Sequence, residues 1–467
     1  MTARNLRFLL HVIAAFFLIH FTACNKTLDL HPKDNLVDEQ VFANIANFEA
    51  AVMGVYAGLE YEHNLLVAGA MADELRLDND NSGVNSFATN FYRWTYSSED
   101  DVLFNAWKCG YETVYRINLL LENINRVPTD AAGDSKKIKQ LKAELLGLRS
   151  FVHFGIYQIF GKYNDSQDGT AVPYITQVNL RAKPSKATQT EFYTLAWADL
   201  QQALQAEDLP TVDYRLNRAA LHAFAARLLL YKKAYSEAAQ YAELALQQHN
   251  LTSADNYMDI WQDKDNAEVI FRLKRNHANA IRPNTLWFNY GAGKILFHPS
   301  HKLSDFAQQD VGIRKDLFLE QPDNANEDED EDEDSSPILK YPGNVYAHTI
   351  NDVKVFRAAE MYLIRAEAAL KSNRQALANE ALNTLRAARE VDEIAHNIGI
   401  DDIVKERYIE LAFEGHRYFD LKRLGLTIQR IPADLAIPED KMELQPFDNA
   451  YHLPIPFKET QVNPNLR

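Results

Sequence analysis

Cysteine is nearly absent: the 467 residues hold two, Cys24 and Cys109. A disulfide-stapled scaffold is thereby excluded, and the fold must rest on a packed core, which this length permits. Basic excess is absent too. Lys and Arg number 49 against 65 Asp and Glu, a net charge of −16. That sign repels phosphate backbones, so nucleic acid is not an expected partner. No segment is long and apolar enough to cross a bilayer. The apolar stretch at residues 8–21 (FLLHVIAAFFLIHF) has 14 residues, where a spanning helix needs roughly 20. Also missing are GxSxG, a P-loop, GxGxxG, CxxC and HExxH, so the familiar nucleophile, nucleotide, redox and zinc-protease motifs are not available. No familiar cofactor motif is present either.

What is present begins with an export signal. Arg4 and Arg7 precede the apolar stretch, and Phe21-Thr22-Ala23-Cys24 follows it. A charged n-region, a short h-region and small residues before a cysteine are similar to a bacterial lipoprotein signal. Phe21 departs from the usual aliphatic at that position. Residues 1–23 are therefore expected to be a signal peptide and Cys24 the lipidation site, with residues 24–467 one domain. Its N-terminal part (about 24–300) and its C-terminal part (about 301–467) would both contribute helices to one scaffold. One lipid chain holds a protein only marginally, whereas the several chains of a lipoprotein anchor it. Cys109 lies in an apolar helical pattern and is expected to act as a small hydrophobe.

Apolar periodicity near 3.6 predicts helices over 100–124, 135–160, 191–206, 217–231, 234–246, 356–370, 375–390 and 401–424. Two stretches recur in layout, AALHAFAARLLLYKKAYSEAAQYAELAL and AAEMYLIRAEAALKSNRQALANEALNTL. Alanine lets paired helices approach closely while aromatics fill the gaps, as in tetratricopeptide-type hairpins. Residues 65–96 and 251–299 do not read as helix and are rich in Asn, Asp, Gly and aromatics. Loops held on a rigid scaffold are where binding residues gather. Residues 319–349 contain eight consecutive acidic residues, Glu327 to Asp334. Such a run is expected to be a solvated surface insertion, with a calcium- or partner-binding tail as the lesser reading.

The segment LAFEGHRYFDLKRLG, residues 411–425, packs Glu414, His416, Arg417 and Asp420 into seven positions. On one continuous helix, Arg407, Glu410, Glu414 and Arg417 would form a charge stripe beside an apolar one. That predicts a half-buried ion network locking the helix to its neighbours. His416 and Asp420 share a face, but no third ligand is nearby to complete a metal site. The expected role is structural.

ERYIELAFEGHRYFDLKRLG, residues 406–425, closely resembles the C-terminal signature of SusD/RagB-family proteins. Further stretches agree in order: residues 143–163, where Leu145 to Gly147 depart from the usual Ala-Arg-Phe, then 199–210, 215–246 and 355–370. The closing YHLPIPFKETQVNPNLR resembles the family's Pro-Ile-Pro…Asn-Pro-Asn-Leu ending. The resemblance implies an all-α fold of about four tetratricopeptide-like helical pairs, with a loop-rich irregular portion packed on them. It implies an outer-membrane, surface-exposed lipoprotein that partners a TonB-dependent transporter and captures a nutrient, usually a glycan fragment, without catalysis.

Sugars present apolar C–H faces and rings of hydroxyls, which flat aromatics and paired polar side chains suit. Residues 71–96 supply Asp73, Arg76, Asp78, Asn79, Tyr92 and Trp94. Residues 282–293 supply Trp287 and Tyr290, beside Phe288. These are the expected ligand-binding residues, against the plainer reading that some aromatics only plug the loops. A second weak opening for calcium, besides the acidic run, is Asp78 to Gly83. It imitates the start of an EF-hand but places Thr89 where a bidentate Glu is needed. Peptide capture, a tetratricopeptide adaptor without ligand loops, and a glycosidase with two facing carboxylates are the competing readings. In an adaptor, Trp94 and Trp287 would be buried and dispensable.

Overall fold

A computed structural model describes residues 38–81, 87–163, 169–279, 281–310, 312–317, 338–344, 347 and 349–467. The signal peptide, Cys24, the end of the calcium-like turn (Ser82 and Gly83) and the acidic run lie outside these residues.

The chain enters through α1 (Ile45–Ala57) and α2 (Glu62–Met71). The first hairpin is α3 (Asp101–Asn123) against α4 (Asp134–Phe160). Next come α5 (Gln189–Leu204), α6 (Arg218–Tyr231) and α7 (Tyr235–Leu246). After an irregular stretch and α8 (His301–Asp310), the chain adds α9 (Ala358–Lys371) and α10 (Gln375–Ala388). It finishes with α11 (Ile400–Glu410) and α12 (Arg417–Leu424). Helix α5 packs mainly along α4, α6 pairs with α7, and α9 bridges α7 to α10. The stack is therefore all-α and tetratricopeptide-like, as the alanine-rich layout implies. Ala220, Ala223, Ala225 and Ala226 of α6 and Ala238 and Ala242 of α7 are all buried, which lets these helices pack closely. No helix among the described residues is long and apolar enough to cross a membrane.

Strands are few and short. β1 (Leu75–Leu77) pairs antiparallel with β5 (Phe297–Pro299), and β2 (Val269–Leu273) with β6 (Val353–Arg357). β3 (Phe288–Asn289) pairs with β4 (Lys294–Ile295), and β7 (Ile428–Gln429) with β8 (Glu443–Leu444). These small ladders carry the irregular portion onto the helical stack. One apolar cluster runs from Phe42 to Leu466, so both ends of the described chain feed one core.

Two expectations about helices are corrected. Residues 65–71 are helical, and all ten residues of α2 are buried. A helix buried on every side carries no polar face, and periodicity cannot reveal it. The predicted helix over 401–424 is two helices broken at residues 411–416. Phe413 and Gly415 sit at φ +64° and +82°, and a Cβ on Gly415 would lie 3.3 Å from the Leu65 side chain.

That break serves the charged segment. Arg357 donates to both Glu414 oxygens at 2.7 Å, to Glu410 at 3.2 Å and to Glu268. Arg389 joins Glu268 (2.8 Å) to Glu410 (3.1 Å), and Arg314 joins Glu406 (2.6 Å) to Glu410 (3.1 Å). Lys340 reaches Glu414 at 2.8 Å. Arg407 turns to Asp420 at 2.8 Å, which also takes Arg423 at 2.9 Å. Burial pushes the Glu410 carboxyl up, but Arg389, Arg357 and Arg314 together hold it well below the ordinary range. The network is fully buried rather than half-buried, and it binds β2, β6, α10, α11 and the 411–416 turn together.

Candidate functional site

The two loop regions expected to bind ligand form one zipped unit. In β1 and β5, Arg76 stands opposite His298 and Leu77 opposite Phe297. The Asp78 amide donates to the Leu296 carbonyl at 3.2 Å, and the Asn81 side chain donates to the same oxygen at 3.1 Å. The His298 ring lies 2.7 Å from the Asp78 carboxylate, which is about one-fifth exposed (22%). Arg76 is half-buried and Asn79 is exposed at the outer end of this unit.

From β5 the chain leads back into the β3–β4 hairpin. Asn289 shapes its turn by accepting from the Gly291 and Ala292 amides, both at 3.1 Å. Gly293 closes it at φ +64°, a conformation that suits a residue without Cβ. This hairpin holds Phe288 and Tyr290 half-exposed, their rings 4.7 Å apart and inclined at 62°. The Tyr290 hydroxyl lies 3.3 Å from the Asn284 amide nitrogen, which donates to it.

Beside these rings lies an apolar hollow of about 190 Å³. Trp287, Phe288 and Tyr290 line it with Ile295, Ile338 and Tyr341. Trp287 belongs to the wall rather than the mouth: it is buried, edge-on to Phe297 at 6.2 Å and against Phe413 at 6.2 Å. The Trp287 indole nitrogen and the Tyr341 hydroxyl are buried without a hydrogen-bond partner among the described residues. Buried donors are normally paired, so two orphans beside one hollow are informative. The sequence reading missed Ile338 and Tyr341. The only signal was the apolar PILKYPG that follows the acidic run.

The other aromatic pair sits elsewhere. Tyr92 and Trp94 are buried. The Arg430 guanidinium lies 3.9 Å from the Tyr92 ring centre and 4.2 Å from that of Trp94. It also donates to the carbonyls of Ala70 and Ala72 at 3.0 Å and to that of Tyr92. The Trp94 indole donates to the Met71 carbonyl at 3.0 Å, and the Tyr92 hydroxyl donates to the Asp434 carbonyl. Asp73 is likewise buried. Its carboxylate accepts from Arg417 at 2.7 and 2.9 Å and from Lys302 at 2.7 Å. Burial pushes the Asp73 carboxyl up, but Arg417 and Lys302 hold it well below the usual range. Asp73 thus ties the loop portion to the C-terminal signature through Arg417, while Tyr92 and Trp94 tie it to Arg430 and Asp434 just beyond. Of the eight expected ligand residues, Trp287 and Tyr290 share the hollow, while Arg76, Asp78 and Asn79 occupy the adjoining strand and turn.

His416 and Asp420 are both buried, and Asp420 is taken by Arg407 and Arg423. Among the described residues, the three-ligand cluster that does form is elsewhere, at Glu60, His63 and Cys109.

Comparison with known proteins covers nearly the whole chain. The profile of the SusD family matches residues 253–467. A profile described as "Starch-binding associating with outer membrane" matches residues 26–230. SusD-like protein P38 of Formosa agariphila is 22% identical over 90% of this chain and 92% of its own. SusD-like protein P2 of the same organism is 24% identical over 96% of each. Among solved structures, a SusD superfamily protein from Bacteroides thetaiotaomicron superposes with a TM-score of 0.80 at 21% identity, covering 91% of this chain and 99% of that one. A SusD-like carbohydrate-binding protein from Bacteroides vulgatus gives 0.77 at 20% identity, covering 91% and 98%.

Proposed function

The chain is a SusD-like protein, and from that premise we propose that it captures a glycan at the outer membrane for import through a TonB-dependent transporter. One observation carries the ligand reading: the hollow edged by half-exposed Phe288 and Tyr290, with Trp287 and Tyr341 in its wall. Aromatic faces shed water readily against the C–H faces of a sugar ring. The exposed Asn79 and the partly exposed Asp78 and Arg76 offer hydroxyl partners along the neighbouring strand. Related proteins whose descriptions speak of starch-binding, outer-membrane association and carbohydrate binding support the same ligand class and location.

In this reading the protein binds and does not catalyse. The charged segment at 406–425 is occupied by its own ion network, which leaves it a scaffold. Cys24 carries the lipid anchor, and the stacked hairpins supply a broad rigid face for the transporter. The reading requires neither calcium nor another cofactor.

One finding favours the adaptor alternative: Trp94 and Trp287 are both buried. An adaptor has no use for an open aromatic edge, however, and Phe288 with Tyr290 provides one. The test is binding of the protein to a panel of soluble polysaccharides, their oligomers and mixed peptides, with co-purification of outer-membrane partners alongside. Binding to one glycan class, together with a co-purifying transporter, is expected. Binding to peptides alone would replace the glycan, and a partner without any ligand would leave the adaptor.

A further inference from the structure

The turn before α2 and the middle of α3 meet at a second, unrelated site. Glu60 precedes α2, His63 lies in its first turn, and Cys109 faces them from α3. The His63 Nε2 is 3.1 Å from a Glu60 carboxylate oxygen. The Cys109 thiol is hydrogen-bonded to the same carboxylate. One ligand atom from each residue lies within 4.8 Å of the other two. His63 is buried, Cys109 half-buried, and the Glu60 side chain about one-third exposed (35%).

The packing that brings them together is specific. Gly110, next to Cys109, lies so close to α4 that a Cβ there would meet Ile156 at 2.7 Å. Asn64, next to His63, donates to the Gly155 carbonyl at 3.1 Å. These contacts fix α2 and α3 against α4 and so fix the spacing of His63 and Cys109. A hollow of about 50 Å³ opens among the three side chains and Asn64, Thr113 and Gly155. About 10–15 Å³ suffices for one water, so an ion with a bound water fits.

We propose that Glu60, His63 and Cys109 form a binding site for a borderline-soft divalent cation, zinc, with water from the hollow as its fourth ligand. A thiolate, an imidazole and a carboxylate are the donors zinc takes, at about 2.3, 2.0–2.1 and 2.0–2.2 Å, which sets ligand atoms about 3.5 Å apart in a tetrahedron. The observed spacing reaches that by side-chain rotation of about an ångström. A hard cation such as calcium would reject the thiol. The alternative use of such a trio, a nucleophilic thiolate, is disfavoured. The thiol is half-buried and faces the Glu60 carboxylate, a setting that disfavours a free thiolate. A cation replaces the thiol proton, so one proton per ion passes to solvent as the Cys109–metal bond forms. His63 binds as the neutral ring, giving up its contact with Glu60, and the exposed edge of Glu60 is the entry path. The bound ion would staple the turn at residues 60–63 to α3.

The test uses the full chain in detergent, with zinc and cobalt(II) as probes. One zinc per chain is expected in competition with a chromophoric chelator, along with a thiolate-to-cobalt absorption band in the near ultraviolet. Cys109→Ser should abolish the band and weaken zinc by at least about tenfold. Glu60→Gln, at a third-exposed position that folding tolerates, should weaken zinc while retaining the band. Added zinc should raise the thermal midpoint of the unmodified chain and not that of Cys109→Ser. Zinc uptake that Cys109→Ser and Glu60→Gln both leave unchanged would overturn the proposal, as would a cobalt complex without a thiolate band.

Discussion

Tyr92–Trp94 and Phe288–Tyr290 look alike in the sequence: each is a pair of aromatics two residues apart in a polar loop. In the structure they are opposites. The first pair is sealed against Arg430, which lies over both rings while donating to the carbonyls of Ala70, Ala72 and Tyr92. The second stands half-exposed on a two-residue ladder at the edge of an apolar hollow. The difference is made by what arrives from afar. A cation supplied from 338 residues downstream converts one pair into framework. Among the described residues no cation lies over the Phe288 ring, and both rings of that pair stay half-exposed.

The contrast can be broken or sharpened by substitution. The largest effect is expected where charge is buried. Glu410→Ala removes the carboxylate that Arg314, Arg357 and Arg389 share, leaves excess positive charge in the interior, and should cost about 3–5 kcal/mol of stability by denaturant unfolding. Trp94→Ala removes a buried ring from the Arg430 clamp and should cost about 3–5 kcal/mol as well, while the folded fraction binds ligand with unchanged affinity. Tyr290→Ala should do the reverse. A half-exposed ring is worth little to folding, so stability should fall by less than about 1.5 kcal/mol, while glycan affinity drops about tenfold by calorimetry.

The last expected effect is a pH slope rather than a fixed loss. Glu74, beside Asp73, is fully buried, and burial pushes its carboxyl up to about 8 against the pull of the Phe413 amide and Arg417. Between its ordinary 4.5 and 8 the folded chain holds a proton that the unfolded chain has released. This contribution to stability is therefore present at low pH, is lost as pH rises through that window, and levels off above it. Glu74→Gln keeps the shape without the titration. Thermal unfolding from pH 5 to 9 should show the variant gaining on the unmodified chain as pH rises.

Most of the scaffold was legible because its helices are amphipathic. Helices α3 to α7 fall within a residue or two of where periodicity puts them. Helix α2 was hidden by total burial, and the break at 411–416 by two left-handed residues that leave no trace in an apolar pattern. The charged segment was legible as structural, but its partners were not. Arg357, Arg389 and Glu268 come from other elements, and only folding reveals the contact. At the candidate site, aromatics and turn residues flagged residues 282–293. Composition could not tell which aromatics stay open, since that depends on Arg430 for one pair and on Ile338 and Tyr341 for the other.

The most direct measurement is calorimetric titration of the protein with the glycan class that the panel selects, comparing Phe288→Ala/Tyr290→Ala with Trp94→Ala. Loss of binding in the double variant, with undiminished affinity in folded Trp94→Ala, is the predicted result. Full affinity in the double variant would contradict capture at this hollow and move the site elsewhere on the loops.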